Sequence, residues 1–121
     1  MANTFKVVTF AAEPASAGTA YKMYTVAGST TTVVLGLILT NIHSSVVTAE
    51  VELVSDTGSR GGANNVTNGT SFLVKDVNIP AGSSLEVLTG DKVVLETTDY
   101  LNIDCSVADK LSGTLSIMEI T

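Results

Sequence analysis

Four groups of residues in this chain are of types that can do chemistry. Asp56-Thr57-Gly58-Ser59 has the composition of an aspartic-protease loop, in which two aspartates share one proton and activate a water. One chain supplies one copy, so two chains would have to meet. The surroundings argue against it. Ser55 precedes Asp56 where an apolar residue belongs, and the nearest apolar-apolar-Gly candidate downstream, Leu88-Thr89-Gly90, is a poor substitute. An Asp-x-Gly string also serves as an ordinary strand exit, its carboxylate accepting from nearby backbone amides. Asp56 is therefore read as opening a loop.

His43 is the single histidine, so one chain cannot build a multi-histidine metal site, and no Ser-His-Asp spacing is present. It is read as an ordinary turn-proximal histidine. Asp99, Asp104 and Asp109 recur every five residues, but calcium needs oxygens that converge on one point. Alternation instead puts Asp99 and Asp109 in turns and Asp104 on the wet side of a strand. Cys105, the lone cysteine, falls on the apolar phase of that strand and is read as a buried core residue, without the base or electropositive setting of a nucleophile. Asn65-Val66-Thr67 and Asn68-Gly69-Thr70 are glycosylation sequons, relevant only in a secreted eukaryotic protein. The expectation is no catalytic, cofactor-binding or metal-binding residue, no cofactor, and no enzyme.

The elements that would position such groups are strands. Val47, Ala49, Val51 and Leu53 alternate with Thr48, Glu50 and Glu52, and Leu101, Ile103, Cys105 and Val107 alternate with Asn102, Asp104 and Ser106, the period of a half-buried strand. Phe5–Phe10 and Tyr21–Val26 read as strands, separated by an arm or loop at 11–20. The continuous apolar run Val33–Leu39 predicts a central strand buried on both faces, or one covered by a neighbouring subunit. The polar tract Ser55–Ser71, with four glycines and three asparagines, predicts an exposed loop with a tip at Asn68-Gly69. Phe72–Ile79, Leu85–Leu88, Val93–Glu96 and Gly113–Ile120 complete eight to nine short strands, with Thr89-Gly90-Asp91-Lys92 read as a turn. The expected fold is all-β: a single antiparallel β-sandwich of Greek-key or jelly-roll type over residues 1–121.

The 121 residues suffice for one core without disulfides or metals. Apolar residues are 45% of the chain but aromatic ones only 5%, with no Trp, so Val and Thr carry the sheets. A net charge of −6, with six basic residues scattered singly, disfavours a nucleic-acid partner. No apolar run is long enough to span a bilayer, and no signal-peptide pattern opens the chain, so synthesis in a cytoplasm is expected.

Several strings resemble a known family. They are Met1-Ala2-Asn3-Thr4-Phe5-Lys6, Thr30-Thr31-Thr32-Val33-Val34-Leu35-Gly36-Leu37, Ile79-Pro80-Ala81-Gly82-Ser83-Ser84-Leu85, Val93-Val94-Leu95-Glu96 with Asp99, and the closing Leu115-Ser116 with Glu119-Ile120-Thr121. In this order they look like the small virion structural proteins of tailed bacteriophages of cyanobacteria and other marine bacteria. The resemblance implies a non-enzymatic virion protein, made in the bacterial host cytoplasm, most readily a capsid decoration or cement protein. Its partners would be the major capsid protein, or neck and tail proteins. Separately, the two-faced apolar strand Val33–Leu39 in a chain without disulfides predicts a closed homo-oligomer, a trimer being expected ahead of five or six copies. The alternatives are a neck or tail accessory or spike protein, or a receptor- or carbohydrate-binding sandwich. Few aromatic residues disfavour a sugar platform.

Overall fold

In a computed structural model, the described residues, 2–55 and 69–121, form eight strands and no helix. These are β1 Asn3–Glu13, β2 Tyr21–Thr25, β3 Thr31–Asn41, β4 Val47–Val54, β5 Thr70–Ile79, β6 Ser84–Leu95, β7 Tyr100–Cys105 and β8 Leu111–Ile120. They make two four-stranded antiparallel sheets, ordered β1-β8-β3-β6 and β2-β7-β4-β5. Only β4 and β5 are neighbours both in sequence and in a sheet, so most connections cross from one sheet to the other. This is a sandwich of the Greek-key or jelly-roll type.

Alternation explains the core. Val34, Leu37, Leu39, Leu115 and Ile117 from one sheet meet Val47, Ala49, Val51, Leu101, Ile103 and Cys105 from the other in one buried cluster. Phe10 closes it from β1 by lying over Gly113 and meeting the Tyr21 ring edge-on, with centroids 5.4 Å apart. A side chain at 113 would overlap the Phe10 ring. The absence of a Cβ is what admits the aromatic.

Each end of the sandwich has its own polar closure. At one end Asn41 is fully buried and satisfied: its amide nitrogen donates to the Ser45 and Ile79 carbonyls, both at 2.9 Å, and its Oδ1 accepts from the His43 amide at 2.7 Å. At the other, the Tyr24 hydroxyl donates to Glu119 at 2.6 Å and lies 2.8 Å from the Thr32 hydroxyl, while Lys6 approaches the same carboxylate at 2.7 Å. Four strands, β1, β2, β3 and β8, are tied by that cluster.

Several boundaries differ from the sequence reading. β1 runs on to Glu13 through an irregularity after Phe10, so Ala11–Glu13 are strand and the connecting loop is confined to 14–20. Thr89–Lys92 is not a turn between two strands. β6 is continuous, and residues 90–92 bulge opposite Leu35, with Gly90 at φ +81°. A turn and a bulge use the same residue types, and the long partner β3 decides between them. β4 keeps its alternation to Val51; a register shift then leaves Leu53 half-buried and Val54 buried. β7 ends at Cys105, leaving Val107 in the turn after it. Thr70 and Ser71 belong to β5, and the remainder of the expected loop, 56–68, lies outside the described residues. β3 is central in its sheet, but its burial is one-sided: Val34, Leu37 and Leu39 are buried, Val33 and Leu35 half-buried, and Ile38 exposed.

Candidate interaction faces

Among the described residues, those singled out for chemistry are not brought together. Asp56, Asn65 and Asn68 lie outside the described residues. Asp99 is buried in the β6–β7 turn, where its carboxylate accepts from the Glu96 amide at 3.0 Å. Asp109 is at the far end of β7, in a turn with φ 58°, its amide donating to Pro14. Six residues of strand separate those two turns, a span of about 20 Å. Among the described residues no three of His, Cys, Asp or Glu cluster in a way that would hold a metal. Cys105 is buried in the core. His43 sits in the turn after β3.

What the fold does build is two outer faces of opposite character. Residues paired across antiparallel strands point to the same side, so the registers define each face. On the β2-β7-β4-β5 sheet the outward side carries Lys22, Tyr100, Asn102, Asp104, Glu50, Glu52 and Phe72. The β5 bulge adds Lys75 and Asp76, the latter at φ 51°. Lys75 lies 3.8 Å from Glu50 and 3.7 Å from Asp76. Burial raises the Glu50 pKa above the ordinary value; Lys75 pulls against that shift, and Asp104, Asp76 and Glu52 add to it. An open hollow of about 240 Å³ lies here among Gly18, Thr48, Glu50, Asp76, Asp104 and Ser106. Asp104 is already engaged, its Oδ1 accepting from the amides of Gly18 at 3.2 Å and Cys105 at 2.8 Å. The aromatic rings of this face are engaged as well: Lys22 stands 4.0 Å over Tyr100 and Lys75 4.6 Å over Phe72.

The outward side of the β1-β8-β3-β6 sheet is different. Phe5 pairs with Met118, Met118 with Val33, and Val33 with Val94, so one apolar row crosses all four strands. Their neighbours Val34 and Ile117 point into the core, which fixes the row on the outside. Phe5 is 71% exposed and Val94 59%, with Val7 (63%) on the next outward row and Ile38 (40%) on the row after that. The other outward partners are mostly Ser and Thr: Thr9 with Thr114, Val7 with Ser116, Thr40 with Ser84 and Ser112. Glu86, paired with Ile38, is the one charge at a register-paired outward position, and Asp91 and Lys92 sit in the β6 bulge. Sequence reasoning missed this row, although Phe5 and Val7 alternating with Thr4 and Lys6 was a signal for it.

No protein-family profile matches the chain, and no curated protein matches it in sequence. Two solved structures are similar in fold. One is a chain of the Bacillus endospore appendages, which form a family of disulfide-linked pili (16% identity, TM-score 0.49, over 99% of this chain and 87% of that one). The other is VP2 of an infectious bursal disease virus subviral particle (13% identity, TM-score 0.50, over 96% of this chain and 32% of that one). This chain thus spans about a third of the VP2 chain. At 13% identity the second likeness is one of fold, and it agrees with the two-sheet antiparallel sandwich described above.

Proposed function

We propose that this chain is a non-enzymatic structural subunit of a bacteriophage particle, a one-domain capsid decoration or cement protein that assembles with copies of itself and with other virion proteins. The observation that carries the reading is the contrast between the two outer faces. One is charged across its strands, with Asp104, Glu50, Asp76 and both rings engaged by neighbours; the other is an apolar and hydroxyl surface spanning four strands, its charges Glu86, Asp91 and Lys92 confined to the edge strand β6. A protein that must adhere on one side and stay soluble on the other needs that division, whereas catalysis needs convergent reactive groups. The phage assignment itself rests on the sequence resemblance. The fold it shares with VP2, a chain of a subviral particle, agrees with a subunit role.

Electron cryomicroscopy of purified particles, with mass spectrometry of their proteins, tests this. The expected result is the chain present in many copies per particle, with sandwich density at a repeated site on the shell. Repeated density at the neck or tail would move it to an accessory position. Its absence from particles would overturn the assignment.

A further inference from the structure

We propose that the outward face of the β1-β8-β3-β6 sheet is where two copies of this chain pair, sheet against sheet, about a two-fold axis. The inference deepens the subunit reading by naming the surface and its occupant, a second copy of the chain.

Charge selects the face. Each chain carries −6, and the outward side of the other sheet holds Glu50, Glu52, Asp76 and Asp104 against Lys22 and Lys75. Two copies meeting through that side would oppose like charges, whereas the Phe5–Met118–Val33–Val94 row carries none, and the charges of its face, Glu86, Asp91 and Lys92, all lie on the edge strand β6. Area is sufficient. Four strands spaced about 4.8 Å apart, with about ten residues each at roughly 3.3 Å, give a face of about 600 Å². Two copies would then bury about 1,200 Å², the lower bound of a specific, stable interface.

Geometry sets the symmetry. A single face that pairs with itself makes an isologous contact, which closes at two copies. A face-on contact also covers the side chains of the edge strand β1, whose Phe5 and Val7 otherwise stand in water beside unpaired backbone groups. The proposed pair is two-fold, where the sequence reading expected a three-fold assembly. In it the sheets would pack about 10 Å apart, as the two sheets of a sandwich do.

The test is the mass of the purified full-length protein by sedimentation equilibrium between about 1 and 200 μM, which brackets a micromolar dissociation constant. The wild type should reach twice 12.5 kDa. Val94→Lys and Phe5→Glu should each return the mass to 12.5 kDa, with the circular dichroism spectrum and melting temperature of a folded sandwich. Glu52→Lys, on the opposite face, should stay dimeric. If Val94→Lys does not fold, Phe5→Glu decides alone, because Phe5 is 71% exposed. The proposal is overturned by a wild type that stays at 12.5 kDa across the range, by a mass of three chains, or by a dimer that both face variants leave intact. The measurement needs no particle, so a monomer would remove the pairing while the particle experiment still judges the subunit reading.

Discussion

Gly113 and Phe10 carry the clearest residue-scale consequence of the packing. A methyl group at 113 would enter the Phe10 ring, which is buried and held edge-on by Tyr21. Gly113→Ala should cost about 1–3 kcal/mol through overpacking, and most of that cost should vanish in a Phe10→Leu background. A double-mutant cycle by urea unfolding measures the coupling; additive costs would mean that the ring is not the obstacle. Glu119 supplies a second test. Its hydrogen bonds from Lys6 and Tyr24 hold the carboxyl below its ordinary value of 4.5, while burial, reinforced by Glu119, pushes the Tyr24 hydroxyl up to about 12. A lowered folded pKa contributes stability that is present above about pH 4.5 and lost as pH falls through the folded value. Glu50, whose folded pKa is raised, works in the opposite sense over neighbouring pH. Glu119→Gln should cost about 1–2 kcal/mol at neutral pH and flatten the acid limb of the stability curve. An unchanged acid limb would show that the cluster contributes nothing to it. Within this cluster Lys6, Tyr24 and Glu119 are 18 and 95 positions apart along the chain, so no local pattern announces them.

At the scale of elements, the bulge in β6 is the feature most open to test. Gly90 adopts φ +81° with open space around the position of a Cβ, so a side chain there meets backbone strain and no clash. Gly90→Ala should cost about 1 kcal/mol, and Gly90→Asn less, because Asn tolerates the left-handed region. Thermal unfolding of the two variants checks the order; equal stability would mean that the strand straightens on substitution. Much of the element pattern was legible in the sequence. Val47–Val51 and Leu101–Cys105 alternate as half-buried strands should, and their inward residues are the core. The bulges were not legible. Thr-Gly-Asp-Lys suits a turn as well as a bulge, and only pairing with β3, more than fifty residues earlier, selects the second. Because a strand alternates with period two, each extra residue also moves the rest of its strand to the other side. Leu35 does this in β3, as Met23 does in β2. The apolar row was therefore visible as residue types, but its assembly into one face needed the register.

The whole molecule is a sandwich with one charged outer side and one outer side of mainly apolar and hydroxyl residues. The mean hydropathy of +0.38 combined with a charge of −6 has its explanation in that division, since the apolar excess is not all spent in the core. The expectation that β3 is covered on both sides was half met. Its inner side is buried in the chain, and its outer side lies in the middle of the surface proposed to meet another copy. The most direct measurement is hydroxyl-radical footprinting of the full-length protein at dilute and concentrated conditions, read residue by residue with mass spectrometry. Pairing through the β1-β8-β3-β6 face predicts that Phe5, Val7, Met118 and Val94 lose reactivity as concentration rises through the association range, while Phe72 and Tyr100 on the opposite face keep theirs. Protection of Phe72 and Tyr100 with Phe5 and Met118 still reactive would contradict it.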